Sequence, residues 1–329
     1  MQNKSIAIII CTEPGSLEGM SQLLVKSIRK FGGKLKDAPI YSIQPRNPEL
    51  LSSKTITVFE ECNVQHEYIL LNEKYSDYGF ANKVMACDYY ARHLSEDFLL
   101  FLDSDQIVLN DLDDLSNESQ MDVCMRVVNL KGIGTDGNDQ NASYWRALYE
   151  LLEVKKRTYT TTGIGRQRIF SYFNAGLIFA RRTSELFQQW KTNFEQLMAS
   201  DLRPKEGLFF VEQSALSATI SSMELIVNEL PITYNYSPQT HFHLAKSNTQ
   251  LALDQIHTFH YHRLFKPPER LNLQKDFKTF QGPKLDWLKR ELVSCGINSQ
   301  PFYEEWELEL LTQKKLILQQ MKNQKRGFS

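Results

Sequence analysis

The stretch Phe98–Asp105 reads Phe-Leu-Leu-Phe-Leu-Asp-Ser-Asp and is the most informative part of this chain of 329 residues. Its apolar part is continuous rather than alternating, which is typical of a strand buried on both faces of a parallel α/β sheet. Two carboxylates, Asp103 and Asp105, follow that strand two residues apart. Ligands of such sheets bind just beyond the carboxyl ends of the strands. The stretch therefore predicts a divalent cation held by acidic side chains, and a nucleotide diphosphate whose charge that cation neutralises.

A second acidic triplet, Asp111-Leu112-Asp113, follows a few residues later. It comes after Asn110 in a polar stretch with no buried strand before it. We interpret this copy as a loop or the start of a helix, where acids complement exposed backbone N–H groups. The first triplet is therefore the candidate metal site.

The composition is that of a folded enzyme. Apolar residues make up 42% of the chain and charged residues 23%, which argues against disorder. Lysine plus arginine (38) and aspartate plus glutamate (39) nearly cancel, so we expect no nucleic-acid partner bound by bulk charge. The five cysteines are scattered, with no zinc or redox spacing, which favours reduced thiols and a cytoplasmic location. The apolar run Ile6–Ile10 is too short for a signal peptide or a membrane span, and we interpret it as the first strand.

Strands and helices alternate along the chain, which predicts right-handed β-α-β units and a mostly parallel sheet flanked by helices. The predicted strands are Ile6–Ile10, Pro39–Ile43, Thr55–Phe59, Tyr68–Leu71, Phe98–Leu102 and Tyr172–Ala180. The predicted helices are Leu17–Phe31, Ala81–Leu94, Ser143–Leu152, Thr183–Met198 and Val211–Ile220. The rest of Val128–Arg168 is rich in glycine, threonine and asparagine and is expected to be irregular. It is either a lid or acceptor loop, or a surface excursion without a role.

The tail from Pro283 is predicted to form two helices. The last one combines apolar residues at helical spacing with a basic end at Lys322, Lys325 and Arg326. It either packs on the domain or attaches the chain peripherally to an anionic membrane.

Four further motifs follow the first acidic triplet. They are Tyr172-Phe173-Asn174-Ala175-Gly176, Glu212-Gln213, Leu230-Pro231-Ile232-Thr233-Tyr234-Asn235, and Ile256-His257-Thr258-Phe259-His260-Tyr261-His262 with Lys266-Pro267 after it. In this order the set resembles the retaining GT-A glycosyltransferases of the glycogenin and lipopolysaccharide galactosyltransferase type. The resemblance runs from about Ser5 to Pro267, and it implies a GT-A domain over residues 1–282 with a helical extension over 283–329.

The family pattern places a histidine six residues before the Lys-Pro pair, and His260 is the residue that matches. The resemblance therefore implies that Asp103, Asp105 and His260 hold the metal. A mixed set of imidazole and carboxylate ligands suits Mn²⁺ at least as well as Mg²⁺. Lys266 is expected to meet the donor phosphates as a mobile point charge.

The chain departs from the family pattern in this loop. Arg263 stands where the family has glycine, and Pro268 where it has tryptophan after the Lys-Pro pair. The bulky Arg263 side chain either restricts the approach of the backbone to the phosphates or contacts them itself.

The resemblance also assigns residues around the donor sugar. Asn174 would lie against that sugar, beside two small residues that let the backbone approach a ligand closely. Glu212 replaces the family's aspartate, which contacts donor-sugar hydroxyls, and Gln213 would lie near the reacting carbon. Because glutamate is longer by one methylene, the identity of the sugar does not carry over.

Four residues are assigned to the nucleotide end of the donor. Lys83 resembles the family's donor-contacting lysine. Thr12 and Glu13 end the first strand, where such enzymes hold the base and ribose. Ser104, between the two acids, joins the same donor site.

The expected activity is metal-dependent transfer of a sugar from a nucleotide diphosphate, uridine by resemblance, to an acceptor hydroxyl, with retention at the anomeric carbon. The acceptor is left open between a glycan, a lipid-linked sugar, a metabolite and a protein. One alternative is a non-catalytic scaffold that binds a nucleotide sugar. The other, a sugar-1-phosphate nucleotidyltransferase, is disfavoured because the turn Cys11–Gly15 is acidic and poor in glycine.

Overall fold

The computed structural model describes residues 4–116, 121–237, 251–262, 264–265 and 282–297, together with residues 310, 313, 314 and 317. The strands are β1 Ile6–Cys11, β2 Ile40–Gln44, β3 Val64–Tyr68, β4 Phe98–Leu102, β5 Gln106–Val108, β6 Val123–Val127, β7 Tyr159–Thr161, β8 Arg168–Phe170, β9 Phe173–Arg181, β10 Val227–Glu229 and β11 Thr258–His260. The α-helices are α1 Ser16–Phe31, α2 Ser53–Glu61, α3 Ala81–His93, α4 Ala142–Leu151, α5 Leu186–Ala199, α6 Val211–Ser222 and α7 Pro283–Ser294.

Seven strands form the central sheet in the order β10-β6-β9-β4-β1-β2-β3. The strand pairs are parallel except where β9 runs antiparallel to its neighbours β4 and β6. The predicted mixed α/β class with a mostly parallel sheet is therefore confirmed. The reversal of β9 brings its first residues to the edge where β1, β4 and β6 end.

The core occupies both faces of this sheet. Along β1, Ile6, Ile8 and Ile10 pack in one apolar cluster while Ala7 and Ile9 pack in the other. All five residues of β4 are buried, as the continuous apolar run predicts. Burial on two faces fixes the position of the strand end, and with it the acids that follow.

One predicted strand is wrong. Thr55–Phe59 lies in α2, whose first turn is capped by Ser52: the Ser52 hydroxyl accepts the backbone N–H of Thr55 at 3.3 Å. The buried residues Thr55, Val58 and Phe59 recur at spacings of three and four, so the short apolar run is one face of an amphipathic helix. The strand expected at Tyr68–Leu71 occurs earlier, as β3.

The remaining predicted elements agree with the observed ones to within three residues. Within the segment expected to be irregular, α4 is present, and β7 and β8 form an antiparallel hairpin that the sequence analysis missed. The hairpin was not predicted because residues 160–165 consist mainly of threonine and glycine, and its two three-residue strands contain no apolar run of strand length.

Helix α7 packs on the body of the protein. Its residues Leu285, Leu288 and Leu292 join an apolar cluster with Ile107 of β5 and Phe259 of β11. Of the second predicted tail helix the structure describes only residues 310, 313, 314 and 317, which are helical. The rest, including its basic end, lies outside the described residues, and the domain boundary at 282 stays a prediction. No helix in the described ranges is long and apolar enough to cross a membrane.

Candidate active site

The first acid of the triplet forms an ion pair. Lys83, in the first turn of α3, places its Nζ 2.7 Å from Oδ1 of Asp103. Burial lowers the pKa of Lys83, but Asp103 and Glu212 outweigh it and raise the pKa above its ordinary value. Lys83 is therefore a fixed positive charge at the carboxyl end of β4.

The second acid faces two histidines. Oδ1 of Asp105 lies 2.9 Å from Nε2 of His260, and Oδ2 lies 3.4 Å from Nδ1 of His262. Burial raises the pKa of Asp105, but the two imidazoles outweigh it and hold the pKa well below its usual range. Burial and the neighbouring His260 lower the pKa of His262.

A chain of hydrogen bonds fixes the tautomer of His260. The Gln106 side-chain NH₂ donates to Gly176 O at 2.9 Å and to Asn235 Oδ1 at 2.8 Å. Asn235 Oδ1 lies 2.8 Å from Nδ1 of His260. Because this amide oxygen can only accept, Nδ1 carries the proton and the lone pair of Nε2 points to Asp105 in the neutral imidazole.

Asn174 completes the chain. Its Oδ1 accepts the backbone N–H of Gly176 at 2.9 Å and the side-chain NH₂ of Asn235 at 2.7 Å. The N–H group and the carbonyl of Gly176 therefore set the orientations of the Asn174 and Gln106 side-chain amides near His260. The Asn174 NH₂ group makes no hydrogen bond within the described part of the chain and remains able to donate to a ligand.

Gly176 is required for close packing. A Cβ at this position would lie 2.6 Å from Cε1 of His260, closer than real Cβ contacts. The imidazole therefore rests directly on the backbone of β9.

The donor set fits a divalent cation. One ligand atom each from Asp105, His260 and His262 lies within 4.8 Å of the others. In the neutral imidazole with Nδ1 protonated, Nε2 of His260 would face Oδ1 of Asp105 at 2.9 Å as a second acceptor, an arrangement that a bound cation satisfies. Imidazole held by its other nitrogen is typical of metal ligands, and carboxylate with imidazole suits Mn²⁺. The sequence analysis did not assign His262, although it belongs to the same motif.

Glu212 and Gln213 open α6 beside these groups. Glu212 is buried, accepts a hydrogen bond from the Tyr78 hydroxyl, and has its pKa raised by burial against the opposing effect of Lys83. Gln213 Oε1 accepts the backbone N–H of Ala175 at 3.1 Å. The preceding Phe210 has a φ of 63°, a left-handed conformation rare for a bulky residue.

The residues assigned to the nucleotide end divide into two groups. Glu13 lines the cavity and accepts two hydrogen bonds from Arg46, at 3.1 and 2.6 Å. Ser104 also lines the cavity, and its hydroxyl donates to Cys11 O at 2.5 Å. Thr12 is fully buried and its hydroxyl is hydrogen-bonded to Ser21 and Ser42, so it does not reach the cavity. Lys266 lies outside the described residues.

These groups meet in one cavity of about 740 Å³ at the edge where β1, β4 and β6 end. Its wall includes most of the predicted side chains: Glu13, Lys83, Asp103, Ser104, Asp105, Asn174, Glu212, Gln213 and His260. Arg46, Arg126, Phe80, Phe209 and Phe210 also line it and were not predicted. For Arg126 a signal existed, since a charge stands inside the apolar run of β6.

A sheet of this topology, with acids behind its buried central strand and a cavity at their edge, defines the class of GT-A glycosyltransferases. A family model described as the Rhodobacterales glycosyltransferase domain matches residues 8–224. The chain belongs to this family of glycosyltransferase domains. Among curated proteins no sequence matches it.

Two solved structures with TM-scores above 0.5 agree with the fold. An active-site mutant of LgtC is 11% identical, covers 92% of this chain and 99% of its own, and has a TM-score of 0.52. GlyE of Streptococcus pneumoniae TIGR4 is 15% identical, covers 90% of this chain and 62% of its own, and also has a TM-score of 0.52. The bifunctional glycosyltransferase WbbM is 12% identical at a TM-score of 0.45, covering 88% of this chain. This chain thus spans 52% of WbbM and 62% of GlyE.

Proposed function

We propose that this protein transfers a sugar from a uridine diphosphate donor to an acceptor hydroxyl, with Mn²⁺ or Mg²⁺ as cofactor and with retention at the anomeric carbon. The observation that carries the proposal is the convergence of Asp105, His260 and His262 beside the Lys83–Asp103 pair. This arrangement brings cation ligands and a fixed positive charge together at the edge where such sheets bind phosphates.

Asp105, His260 and His262 would hold the cation, with Asp103 as a further oxygen donor. When bound, the cation would neutralise charge on the diphosphate, which is the kind of electrostatic stabilisation that usually dominates such reactions. Lys83 keeps the Asp103 carboxylate oriented, and Lys266 is assigned to the departing phosphate.

The remaining residues would position the sugars. The unbonded NH₂ of Asn174 is able to donate to a donor-sugar hydroxyl, and the buried carboxyl of Glu212 is available to another. Gln213 is held by the Ala175 backbone and is assigned a place beside the anomeric carbon, not the role of a base. The leaving phosphate would take the acceptor's proton.

The test is calorimetric binding of UDP and of GDP, each with and without Mn²⁺, to the wild type and to Asp105→Asn. We expect UDP to bind only with the metal, and the substitution to weaken this binding at least tenfold because it removes an anionic ligand. Asp111→Asn, at the exposed first residue of the second acidic triplet, is the matched control and should bind like the wild type.

Binding of UDP that is indifferent to Mn²⁺ and to Asp105→Asn would contradict the metal assignment. Tight binding of nucleotide sugar without turnover on any acceptor would instead favour the non-catalytic scaffold. Release of pyrophosphate from a sugar phosphate and a nucleoside triphosphate would favour the nucleotidyltransferase.

A further inference from the structure

Arg126 is a buried positive charge in an otherwise apolar strand. It is 3% exposed. In the described part of the chain its guanidinium donates to Asn129 Oδ1, while Nε is shielded from solvent and has no hydrogen-bond partner. No carboxylate of the described residues forms an ion pair with it, and burial lowers its pKa to about 10. A buried charge without a counter-charge destabilises the fold, and an anionic ligand in the cavity would supply the missing counter-charge.

The guanidinium is held in place at the wall of the active-site cavity. The Gly163 backbone packs against it: a Cβ on Gly163 would lie 2.7 Å from Nη2 of Arg126. The backbone N–H groups of Gly163 and Ile164 donate to the carbonyls of Val128 and Asn129 at 2.9 and 3.0 Å, which ties this turn to the residues after β6. The group is therefore preorganised for a ligand.

The position of Arg126 along the edge of the sheet indicates which part of the substrate would lie beside it. The strands run in the order β1, β4, β9, β6 across that edge. Glu13 follows β1, Asp103 follows β4, and Asn174 on β9 is the register partner of Arg126 on β6. Arg126 thus lies beyond Asn174 from the nucleotide and phosphate groups, at the end of the cavity that the sugars would occupy.

We propose that Arg126 binds an anionic group, a carboxylate or a phosphate, on the sugar at the β6 end of the cavity. The enzyme then acts on an acidic saccharide, either as acceptor or as donor sugar. A guanidinium presents forked N–H donors that match carboxylate and phosphate oxygens and is preferred where such groups are recognised. This inference rests on the proposed function, because it takes the cavity to be a sugar-transfer site.

The experiment compares acidic and neutral sugars in two arms. In the acceptor arm, binding of methyl glucuronide, glucose 6-phosphate and methyl glucoside is measured with and without UDP and Mn²⁺. In the donor arm, UDP-glucuronate is compared with UDP-glucose in the presence of Mn²⁺. We expect the wild type to prefer the acidic sugar at least tenfold in one arm, and Arg126→Met to bring that ratio close to one.

Two further variants make the result specific. Gly163→Ala, which displaces the guanidinium without removing it, should reduce the same preference. Arg168→Met removes an exposed charge on β8 outside the cavity wall and should leave the preference unchanged. Because Arg126→Met removes the buried charge, this variant is expected to unfold at the same temperature as the wild type or higher.

Equal binding of acidic and neutral sugars by the wild type in both arms would overturn the proposal. So would an unchanged ratio in Arg126→Met, and in that case a lowered melting temperature would assign Arg126 to the fold alone. If UDP with Mn²⁺ fails to bind the wild type, the proposed function fails, while the sugar probes without nucleotide still test Arg126 separately.

Discussion

At the scale of single residues, the site is organised by a glycine. The N–H of Gly176 orients Asn174 and its carbonyl orients Gln106, and both side chains determine how Asn235 presents its oxygen to His260. The lack of a Cβ lets the imidazole rest on the backbone. The orientation of His260, the proposed metal ligand, thus depends on backbone groups through the side chains that hold it.

We expect Asn235→Ala to weaken Mn²⁺ binding by about 10- to 100-fold, the usual effect of losing a partner that orients a ligand. Without the Asn235 oxygen, Nδ1 of His260 no longer has to carry the proton. Calorimetric titration with Mn²⁺ measures the affinity, and ¹⁵N chemical shifts of the imidazole report the tautomer. An unchanged affinity and tautomer would show that the hydrogen-bond chain has no part in metal binding. Asn138→Ala, at an exposed position that does not line the cavity, serves as the control.

We expect Glu212→Gln to raise the free energy of unfolding at pH 8, with the gain disappearing by about pH 4, near the ordinary carboxyl pKa. Burial raises the pKa of Glu212. The folded state therefore holds this proton more tightly than the unfolded chain, and stability falls as pH rises from the ordinary pKa through the folded one. Urea denaturation at both pH values measures the difference. The exposed Glu61→Gln should show no such pH-dependent gain, and a variant at 212 that is less stable at pH 8 would contradict the argument.

At the scale of elements, β4 carries the acids because it is buried on both faces. Its alternate residues belong to the two apolar clusters on either side of the sheet. The antiparallel strand β9 pairs with it as far as Leu102 and Leu177, which holds Asn174 beside the acids. The position of the site therefore depends on packing that is continuous on both sides of one strand.

Leu100→Ala is expected to lower the free energy of unfolding by about 2–5 kcal/mol, because it leaves a cavity at a fully buried position. Leu50, whose side chain is 92% exposed, provides the control, and Leu50→Ala should change stability by no more than about 0.5 kcal/mol. Urea denaturation followed by tryptophan fluorescence gives both values. Similar values for the two variants would mean that β4 is not part of the core.

At the scale of the whole molecule, four strands supply one face of the site in a fixed order. In the order β1, β4, β9 and β6, the strands carry on or just after them Glu13, Asp103, Asn174 and Arg126. The charge and the hydrogen-bonding groups therefore change along this edge, from the expected nucleotide end to the expected sugar end. Helices α3 and α6 add Lys83 and Glu212 to the lining of the same cavity. A ligand that spans this cavity would couple elements far apart in the sequence.

We expect UDP and Mn²⁺ together to raise the melting temperature, whereas each alone has little effect. A ligand at a hundred times its dissociation constant stabilises the folded state by about 2.7 kcal/mol. The measurement is a thermal scan with each ligand, with both, and with both plus a chelator. Equal stabilisation by UDP with and without the chelator would contradict a shared site for nucleotide and metal.

Several features of the fold and the site could be predicted from the amino-acid order alone. The continuous apolarity of Phe98–Leu102 is visible in the amino-acid order because burial on two faces leaves no place for a polar residue. Local sequence context also predicted most helices, the acids that follow the strand, and the small residues Ala175 and Gly176. Each of these features depends on residues that are close in sequence. The helix at Thr55–Phe59 was missed because a five-residue apolar run fits either period.

Which groups lie together in the cavity is known only from the folded structure. His260 meets Asp105 across 155 residues, and Gln106 meets Asn235 across 129, so neither the tautomer nor the place of His262 follows from spacing in the sequence. In the folded protein Thr12 is hydrogen-bonded away from the cavity. Arg126 lines the cavity without a counter-charge among the described residues. Such arrangements arise from contacts between distant segments, whose geometry only the packed sheet and helices define.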